Sequence, residues 1–290
     1  MMTSRALLLL LLVGGRVSLA EQAREDEPVV SRMVTRLNSA NLPKLAVNRA
    51  WRKAAVPHKL HFVVPDDAAK WHPIWAECHA SWRRAFPGWE VRLWNDSSIE
   101  AMVGREYPSI YPTFIAYDKA IKRADVGRYL ILHLEGGIYA DSDYQAAANF
   151  EHLLEPGRVS IARSPHPREV LQNALMFGPP AHPFWRYVMK EVLSSSWIEH
   201  TLHATGPRVV FLASMRAPPM MTTWLSADMF ARHPTSAGRS VVGVSAQEVR
   251  LYEGSDVYAI HLGTCMWCTA NLSRVPSEML PAPGRGAMRR

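Results

Sequence analysis

The chain has 290 residues, of which 48% are hydrophobic and 20% are charged, so it can bury a large core in one domain or in two closely joined subdomains. This composition excludes a mostly disordered chain. The formal net charge of +7 suits an anionic nucleotide or the head groups of a membrane surface, although ordinary solubility explains it more simply. Because the basic residues form no aromatic-interleaved stripe, we expect no nucleic-acid partner.

The N-terminal residues have the pattern of a secretory signal. Arg5 precedes an apolar run from Ala6 to Val13, and Ser18 with Ala20 forms a small-x-small cleavage pattern. The run is too short to span a bilayer, which needs about 20 apolar residues. We therefore predict a signal peptide over residues 1–20, with a short signal anchor as the alternative. The predicted location is the secretory pathway, either the Golgi lumen or outside the cell.

Polar and proline-rich segments border a central region with regular patterning. Residues 21–55 are predicted to form a stem or linker, residues 56–270 the folded domain, and residues 271–290 a loose tail. Asn95 and Asn271 begin candidate N-glycosylation sequences for a lumenal protein.

From residue 56 onward, strand-like and helix-like segments alternate. In chain order, the predicted elements are a strand at Lys59–Val64, a helix at Pro73–Ala85, a strand at Glu90–Trp94, a helix at Thr113–Leu134, strands at Ile138–Ala140, Val159–Ala162 and Ala174–Phe177, and a helix at Phe184–Leu193. This alternation predicts an α/β fold with a mostly parallel sheet. Ligands of such sheets gather at the carboxyl ends of the strands.

Two carboxylates follow the strand predicted at Ile138–Ala140. Gly136 and Gly137 end the preceding helix, and the chain then enters the strand and reaches Asp141 and Asp143. On an extended backbone these two side chains point to the same side, with the intervening serine facing away. Adjacent carboxylates repel unless a cation lies between them, and hard oxygen ligands suit Mg²⁺ or Mn²⁺. A bare Asp-x-Asp in a surface turn usually binds nothing, so its surroundings decide its meaning.

A second charged pair lies on the preceding helix. Asp125 and Arg128 are three residues apart and so share one helical face. A solvated salt bridge would explain this pair. Because the helix leads directly into the two aspartates, we favour a role that faces a substrate.

The region from Ala124 to Asp143 resembles the sugar-binding region containing the DXD motif of glycosyltransferase family 32, which is also similar to the glucosylating domain of large clostridial toxins. The residues that carry the resemblance are Ala124, Asp125, Arg128, Tyr129, Leu132, Gly136, Gly137, Ile138, Tyr139, Asp141 and Asp143. Flanking segments follow the family's order at Val56–Phe62, Trp89–Asp96, Asn173–Met176, His182–Phe184 and Thr205–Pro207, and at His261 and Trp267. The resemblance covers roughly Val56 to Trp267.

The resemblance implies a GT-A-like fold and a metal-dependent glycosyltransferase. Such an enzyme moves a hexose from a nucleotide-sugar donor to a glycan or glycolipid acceptor, and most family members retain the anomeric configuration. Within the family we favour mannose from GDP-mannose, and the implied cofactor is Mn²⁺ or Mg²⁺.

The resemblance also assigns roles to individual residues. Asp141 and Asp143, together with His261, would hold the metal, and Asn173 would line the reacting face. The residues expected to bind the donor are His61, Asp125, Arg128, Tyr139 and Trp267.

The chain departs from the family pattern at two places. Val64 stands where family members often have tryptophan after the first strand, and the usual Gly-Ser-Trp is replaced by the segment Gly263–Trp267. That segment includes Cys265, which with Cys268 and Cys78 gives an odd number of cysteines. An oxidising lumen favours a disulfide involving two of them, and Cys78 is also explained as a buried residue on its helix.

Two other functions use the same residues. A metal-dependent phosphohydrolase would hydrolyse phosphate esters without a sugar acceptor, but it would need a second group of metal ligands that the sequence does not supply. A non-catalytic carbohydrate-binding protein would bind glycans without turnover, and would have no need for the intact Asp-x-Asp.

Overall fold

In the computed structural model, which describes residues 45–164, 170–230 and 256–264, the chain folds around a central sheet flanked by helices. Its strands are β1 (Lys59–Val63), β2 (Glu90–Trp94), β3 (Gly137–Ala140), β4 (Tyr144–Ala146), β5 (Val159–Arg163), β6 (Leu171–Gly178), β7 (Thr222–Leu225) and β8 (Ala259–His261). Its α-helices are α1 (Trp75–Ala85), α2 (Asp96–Glu106), α3 (Tyr111–Ile115), α4 (Ala120–Glu135), α5 (Phe184–Ser195), α6 (Thr201–Ala204), α7 (Pro207–Arg216) and α8 (Ala227–Phe230).

The central sheet runs in the order β2-β1-β3-β6-β5-β7 across the described residues. β1 is parallel to both β2 and β3, and β5 is parallel to β7. Only β6 runs antiparallel to its neighbours, β3 and β5. Parallel strands need crossover connections. α1 connects β1 to β2, and α2 to α4 connect β2 to β3, which lies on the other side of β1. The predicted α/β class with a mostly parallel sheet is confirmed.

Alternating residues of the inner strands fill two apolar clusters. Leu60 and Phe62 of β1 pack in one cluster with Ile138 of β3, while Tyr139 packs in the other. Successive side chains of a strand point to opposite faces, so both faces of the sheet are covered. The carboxyl end of β3 therefore leaves a sheet that is buried on both sides.

The prediction of one helix over Thr113–Leu134 is wrong. The chain forms α3 and then α4, because Lys119 between them has an extended backbone and precedes the first residue of α4. Ten of the sixteen residues of α4 are buried, so this helix is enclosed rather than lying on the surface. Three of the charged residues it carries, Lys122, Asp125 and Arg128, are buried with it.

Two glycines turn the chain from α4 into β3, as predicted. Gly136 and Gly137 have φ of +64° and +95°, in the region where residues with a side chain are strained. A Cβ on Gly137 would lie 2.5 Å from the carbonyl oxygen of Lys59. Glycine at this position therefore allows β3 to pair closely with β1.

A separate two-stranded sheet lies beyond the end of β3. β4 and β8 pair antiparallel, with Tyr144 opposite His261. Ile260 and Leu262 of this region pack against Cys78 of α1. Cys78 is buried and unpaired among the described residues, as predicted for a core position on this helix. Neither β4 nor β8 was predicted from the sequence.

Several predictions fall outside the described residues. They concern the signal peptide over 1–20, the tail over 271–290, Trp267, and any disulfide between Cys265 and Cys268. The described helices include none that is long and apolar enough to cross a bilayer.

Candidate active site

Asp141 and Asp143 lie in a tight turn at the end of β3. The amide of Tyr144 donates to the carbonyl oxygen of Asp141 at 2.9 Å, which closes the turn. The predicted extended backbone is therefore wrong for these residues. The Ser142 hydroxyl donates to the carbonyl oxygen of Val63 at 2.9 Å and is directed toward β1. The two carboxylates nevertheless come together with His261, since one ligand atom from each of the three residues lies within 4.8 Å of the other two.

Asp143 is held from both of its oxygens. Its Oδ2 accepts hydrogen bonds from the amide and the hydroxyl of Thr264, at 2.7 and 3.0 Å. Its Oδ1 lies 3.2 Å from Nε2 of His261. Burial alone would raise the pKa of Asp143, but the neighbouring His261 and the hydrogen bonds from Thr264 lower it to about 2. Asp143 is therefore an anion at any physiological pH.

Asp141 is more open to solvent than Asp143. Its Oδ1 accepts from Nη1 of Arg128 at 2.7 Å and from the hydroxyl of Tyr139 at 2.6 Å. Burial raises the pKa of Asp141, Arg128 opposes that shift and Asp143 adds to it. The Asp141 side chain is 27% exposed, and no donor to its Oδ2 is found among the described residues. That oxygen is therefore available to a ligand.

The ring of His261 is oriented by Tyr144. Their ring centroids are 4.7 Å apart and the planes differ by 3°. Tyr144 is itself fixed, because its hydroxyl lies within hydrogen-bonding distance of both the carbonyl oxygen of Phe230 and Oε1 of Gln172. The His261 side chain is 29% exposed. Burial lowers the pKa of His261, but the charge of Asp143 and its hydrogen bond to the ring raise that pKa, and the net shift is upward.

These three residues fit a divalent cation. Two carboxylates and an imidazole are a hard oxygen and nitrogen donor set of the kind that Mn²⁺ accepts, and Mg²⁺ suits the two carboxylates. The side chains of Asp141 and His261 are partly exposed, so both can be reached from solvent. The charge of Asp143 persists at neutral pH despite its burial, because His261 and the hydrogen bonds from Thr264 stabilise the carboxylate.

Arg128 links Asp141 of the site to a third aspartate, Asp125. Besides Asp141, its guanidinium contacts Oδ1 of Asp125 at 3.1 Å and the carbonyl oxygen of Asn173 at 3.1 Å. It also lies 4.9 Å above the ring of Tyr139. The predicted shared face of Asp125 and Arg128 is confirmed. The pair is buried, so the alternative of a solvated surface salt bridge is wrong.

Asp125 lies at the centre of a buried hydrogen-bond network. Its Oδ1 also accepts from the side-chain amide of Asn173 at 2.8 Å, and its Oδ2 accepts from the hydroxyl of Thr205 at 2.9 Å. Asn173 donates in turn to the hydroxyl of Tyr129 at 3.0 Å. Asp125 is 4% exposed, so in this structure its contacts are with protein groups. A contact between a donor sugar and Asp125 or Asn173 stays a prediction.

Two of the predicted donor-binding residues, Tyr139 and His61, have different surroundings. Tyr139 joins the site through its hydrogen bond to Asp141. His61 is 0% exposed, and its Nε2 and Nδ1 contact the carbonyl oxygen of Gly136 at 2.8 Å and the indole nitrogen of Trp94 at 3.1 Å. Both ring nitrogens of His61 are thus occupied within the protein. Trp267 lies outside the described residues.

Sequence reasoning missed the residues that orient the site. Thr264 is 121 positions from Asp143, and no local pattern signals their contact. Tyr144 directly follows the motif but reads as an ordinary core residue. Tyr129 and Thr205 lie in segments that carry the family resemblance, so that resemblance was the one signal available for them.

Comparison with known proteins agrees with this geometry. Residues 73–159 match the family described as glycosyltransferase sugar-binding region containing DXD motif. The chain is 28% identical over 175 residues to Inositol phosphoceramide mannosyltransferase 3 of Schizosaccharomyces pombe, covering 58% of this chain and 44% of that protein. It is 35% identical over 106 residues to Mannosyl phosphorylinositol ceramide synthase CSH1 of Saccharomyces cerevisiae, covering 37% of this chain and 27% of that protein. Among solved structures, PaToxG Glycosyltransferase has a TM-score of 0.48 at 16% identity, with 70% of this chain and 80% of that chain covered.

The matched family region contains both aspartates of the motif and the Asp125–Arg128 pair. The predicted resemblance to DXD-motif glycosyltransferases is therefore confirmed, and so is the enzyme class of this domain. The chain spans less than half the length of the two curated relatives named above.

Proposed function

We propose that this chain, which carries the sugar-binding region of a DXD-motif glycosyltransferase, transfers a hexose from a nucleotide sugar to a glycan or glycolipid acceptor with Mn²⁺ or Mg²⁺ as cofactor. One observation carries the proposal: ligand atoms of Asp141, Asp143 and His261 lie within 4.8 Å of one another, although His261 comes from a distant part of the chain. Two carboxylates and an imidazole brought together in this way are a suitable ligand set for a divalent cation.

Each charged residue of the site would have its own role. A divalent cation, when bound, would supply positive charge beside the departing diphosphate. Asp143 and His261 would hold that cation together with Oδ2 of Asp141. Arg128 would keep Oδ1 of Asp141 turned away from that cation, since the two groups form an ion pair at 2.7 Å.

The chemistry we propose is a front-face displacement. The bond between the anomeric carbon and the phosphate oxygen breaks, and its electron pair leaves with the diphosphate. The acceptor oxygen bonds to the anomeric carbon on the same face, and its proton passes to the departing phosphate oxygen. Asp125 is poorly placed to be a nucleophile, because its oxygens already accept from Arg128, Asn173 and Thr205. The sugar would accordingly keep its anomeric configuration.

The donor and acceptor we favour follow from the relatives. Both curated relatives named above are mannosyl-transferring proteins whose names specify an inositol phosphoceramide product or acceptor. We therefore propose GDP-mannose as the donor and a lipid or glycan bearing free sugar or inositol hydroxyls as the acceptor. We further propose that the protein acts in the secretory pathway, as its N-terminal sequence indicates.

A donor panel tests this proposal. The purified chain is incubated with Mn²⁺ and each of GDP-mannose, UDP-galactose and UDP-N-acetylglucosamine, and release of nucleoside diphosphate is measured with and without EDTA. We expect metal-dependent release from one donor, with GDP-mannose favoured, and more release when acceptor is present. Hydrolysis of simple phosphate esters without any use of nucleotide sugars would instead indicate a phosphohydrolase, and glycan binding without turnover would indicate a carbohydrate-binding protein.

A further inference from the structure

Thr264 connects the carboxylate of Asp143 to helix α1. Its amide and hydroxyl both lie within hydrogen-bonding distance of Oδ2 of Asp143, at 2.7 and 3.0 Å. The same hydroxyl oxygen lies 3.3 Å from the indole nitrogen of Trp75, the first residue of α1. All three side chains are buried. A chain of contacts therefore runs from Trp75 through Thr264 to Asp143.

The chemistry of the three groups fixes which of them donates each hydrogen bond. An indole N–H can only donate a hydrogen bond, and an ionised carboxylate can only accept one. The Thr264 hydroxyl must therefore accept from Trp75 and direct its own hydrogen to Asp143. Its free rotation, which a hydroxyl normally keeps, is removed by these two neighbours.

The result is that the two oxygens of Asp143 differ. Oδ2 carries two donors from Thr264, whereas Oδ1 faces His261 at 3.2 Å. Packing supports the arrangement, because Ile260 and Leu262 contact Cys78 one turn along α1 from Trp75. The amide of Leu262 also donates to the backbone carbonyl of Asp143 at 2.9 Å. The segment that carries Thr264 is thus held in register with the motif.

We propose that Thr264 and Trp75 are positioning residues for the metal site: they hold Oδ2 of Asp143 so that Oδ1 alone is presented with His261 to a divalent cation. This inference rests on the metal site of the proposed function. Partners that orient metal ligands typically change metal affinity by about 10–100-fold when they are removed.

Manganese binding to the full chain, followed by electron paramagnetic resonance without any donor, tests the proposal. Thr264→Val keeps the side-chain shape and the backbone amide but removes the hydroxyl, and we expect Mn²⁺ affinity to fall about tenfold. Thr264→Ser keeps the hydroxyl, so its Mn²⁺ affinity should be within about threefold of the wild-type affinity. The small difference reflects the lost methyl contact. Thr222→Val is a matched control, since Thr222 and Thr264 are both 8% exposed and Thr222 lies on β7 outside the site.

Trp75→Phe tests the first link independently. Without the indole donor the Thr264 hydroxyl can rotate, so Mn²⁺ affinity should fall in the wild-type background and should not fall further in the Thr264→Val background. Equal Mn²⁺ affinity of wild type and Thr264→Val would overturn the inference while leaving the metal site intact. Additive losses from Trp75→Phe and Thr264→Val would also overturn it. Failure of the wild type to bind Mn²⁺ would instead reject the metal site of the proposed function. Thermal melting of each variant confirms that the protein compared is folded.

Discussion

Nη1 of Arg128 lies 2.7 Å from Oδ1 of Asp141, in a partly buried ion pair that joins helix α4 to the turn after β3. The same guanidinium contacts Asp125 at 3.1 Å, so one cation serves two carboxylates. This pairing explains how the negative charges of Asp125 and Asp141 are tolerated close to one another.

Arg128→Met should destabilise the fold severely. The substitution leaves the buried Asp125 and the partly buried Asp141 without their cation, and the loss of one partner from a buried pair such as Asp125–Arg128 costs about 3–5 kcal/mol. Urea unfolding measures the change. Arg84→Met serves as the control, because Arg84 pairs with Glu77 on the surface and its loss should cost less than about 1 kcal/mol. Equal losses from the two variants would contradict the role given to Arg128.

Thr205→Val should destabilise the buried network around Asp125. Oδ2 of Asp125 would lose its hydrogen-bond donor at 2.9 Å, and an unsatisfied buried acceptor costs about 1–3 kcal/mol. Thr205→Ser keeps the hydroxyl and should restore most of that stability in the same unfolding experiment. If the serine variant were as unstable as the valine variant, packing of the methyl group and not the hydrogen bond would be responsible.

Gly137→Ala should weaken the pairing of β3 with β1. The added Cβ meets the carbonyl oxygen of Lys59 at 2.5 Å, on a backbone with φ of +95°. Gly88 has a similar φ of +81° but nothing within 4 Å of an added Cβ. Gly88→Ala should therefore cost only the backbone strain, about 1–2 kcal/mol. Gly137→Ala should cost a further ~1–3 kcal/mol for overpacking, and similar unfolding free energies for the two variants would refute this account.

Stability should fall as the pH drops from about 6.5 toward 4. Burial lowers the pKa of His61, His79 and His182 to about 4, compared with 6.5 for an unperturbed histidine. Below pH 6.5 the unfolded chain takes up protons that these folded residues refuse, so protonation favours unfolding. Each histidine contributes about 1.4 kcal/mol for every unit of difference in pKa between the two states.

Unfolding free energies at pH 7.5, 6.0 and 5.0 check this dependence. His79→Leu should reduce the slope, because the His79 ring packs against Phe62 at a centroid distance of 4.5 Å and its Nε2 has no partner among the described residues. The difference between wild type and this variant isolates one histidine from the carboxylates that titrate in the same range. A slope identical in the two proteins would contradict the assignment.

Local patterns predicted most of the elements that hold the site. The strand at Glu90–Trp94 agrees with β2 residue for residue, and the two glycines end α4 as expected. The spacing of Asp125 and Arg128 predicted their shared face because helical geometry is set by sequence separation alone. These features depend on neighbours in sequence, which a pattern can report.

The contacts that complete the site depend instead on neighbours in space. The hydrogen bonds from Thr264 to Asp143 join residues 121 positions apart, and the pairing of Tyr144 with His261 needs a strand too short to signal itself. The break at Lys119 carries neither proline nor glycine, so periodicity ran through it. Burial of the Asp125–Arg128 pair likewise follows from the packing of α4 against other parts of the fold, which buries ten of its sixteen residues.

The central claim is that Asp143 helps to hold a divalent cation needed to cleave a nucleotide sugar. The most direct test measures Mn²⁺-dependent release of nucleoside diphosphate by wild type and by Asp143→Ala. The control is Asp228→Ala, which changes an exposed residue of α8. We predict that wild type and Asp228→Ala release diphosphate only with the metal, and that folded Asp143→Ala loses at least about 100-fold of this activity, the scale of removing one electrostatic stabiliser from a reacting site. Full activity in Asp143→Ala would contradict the account.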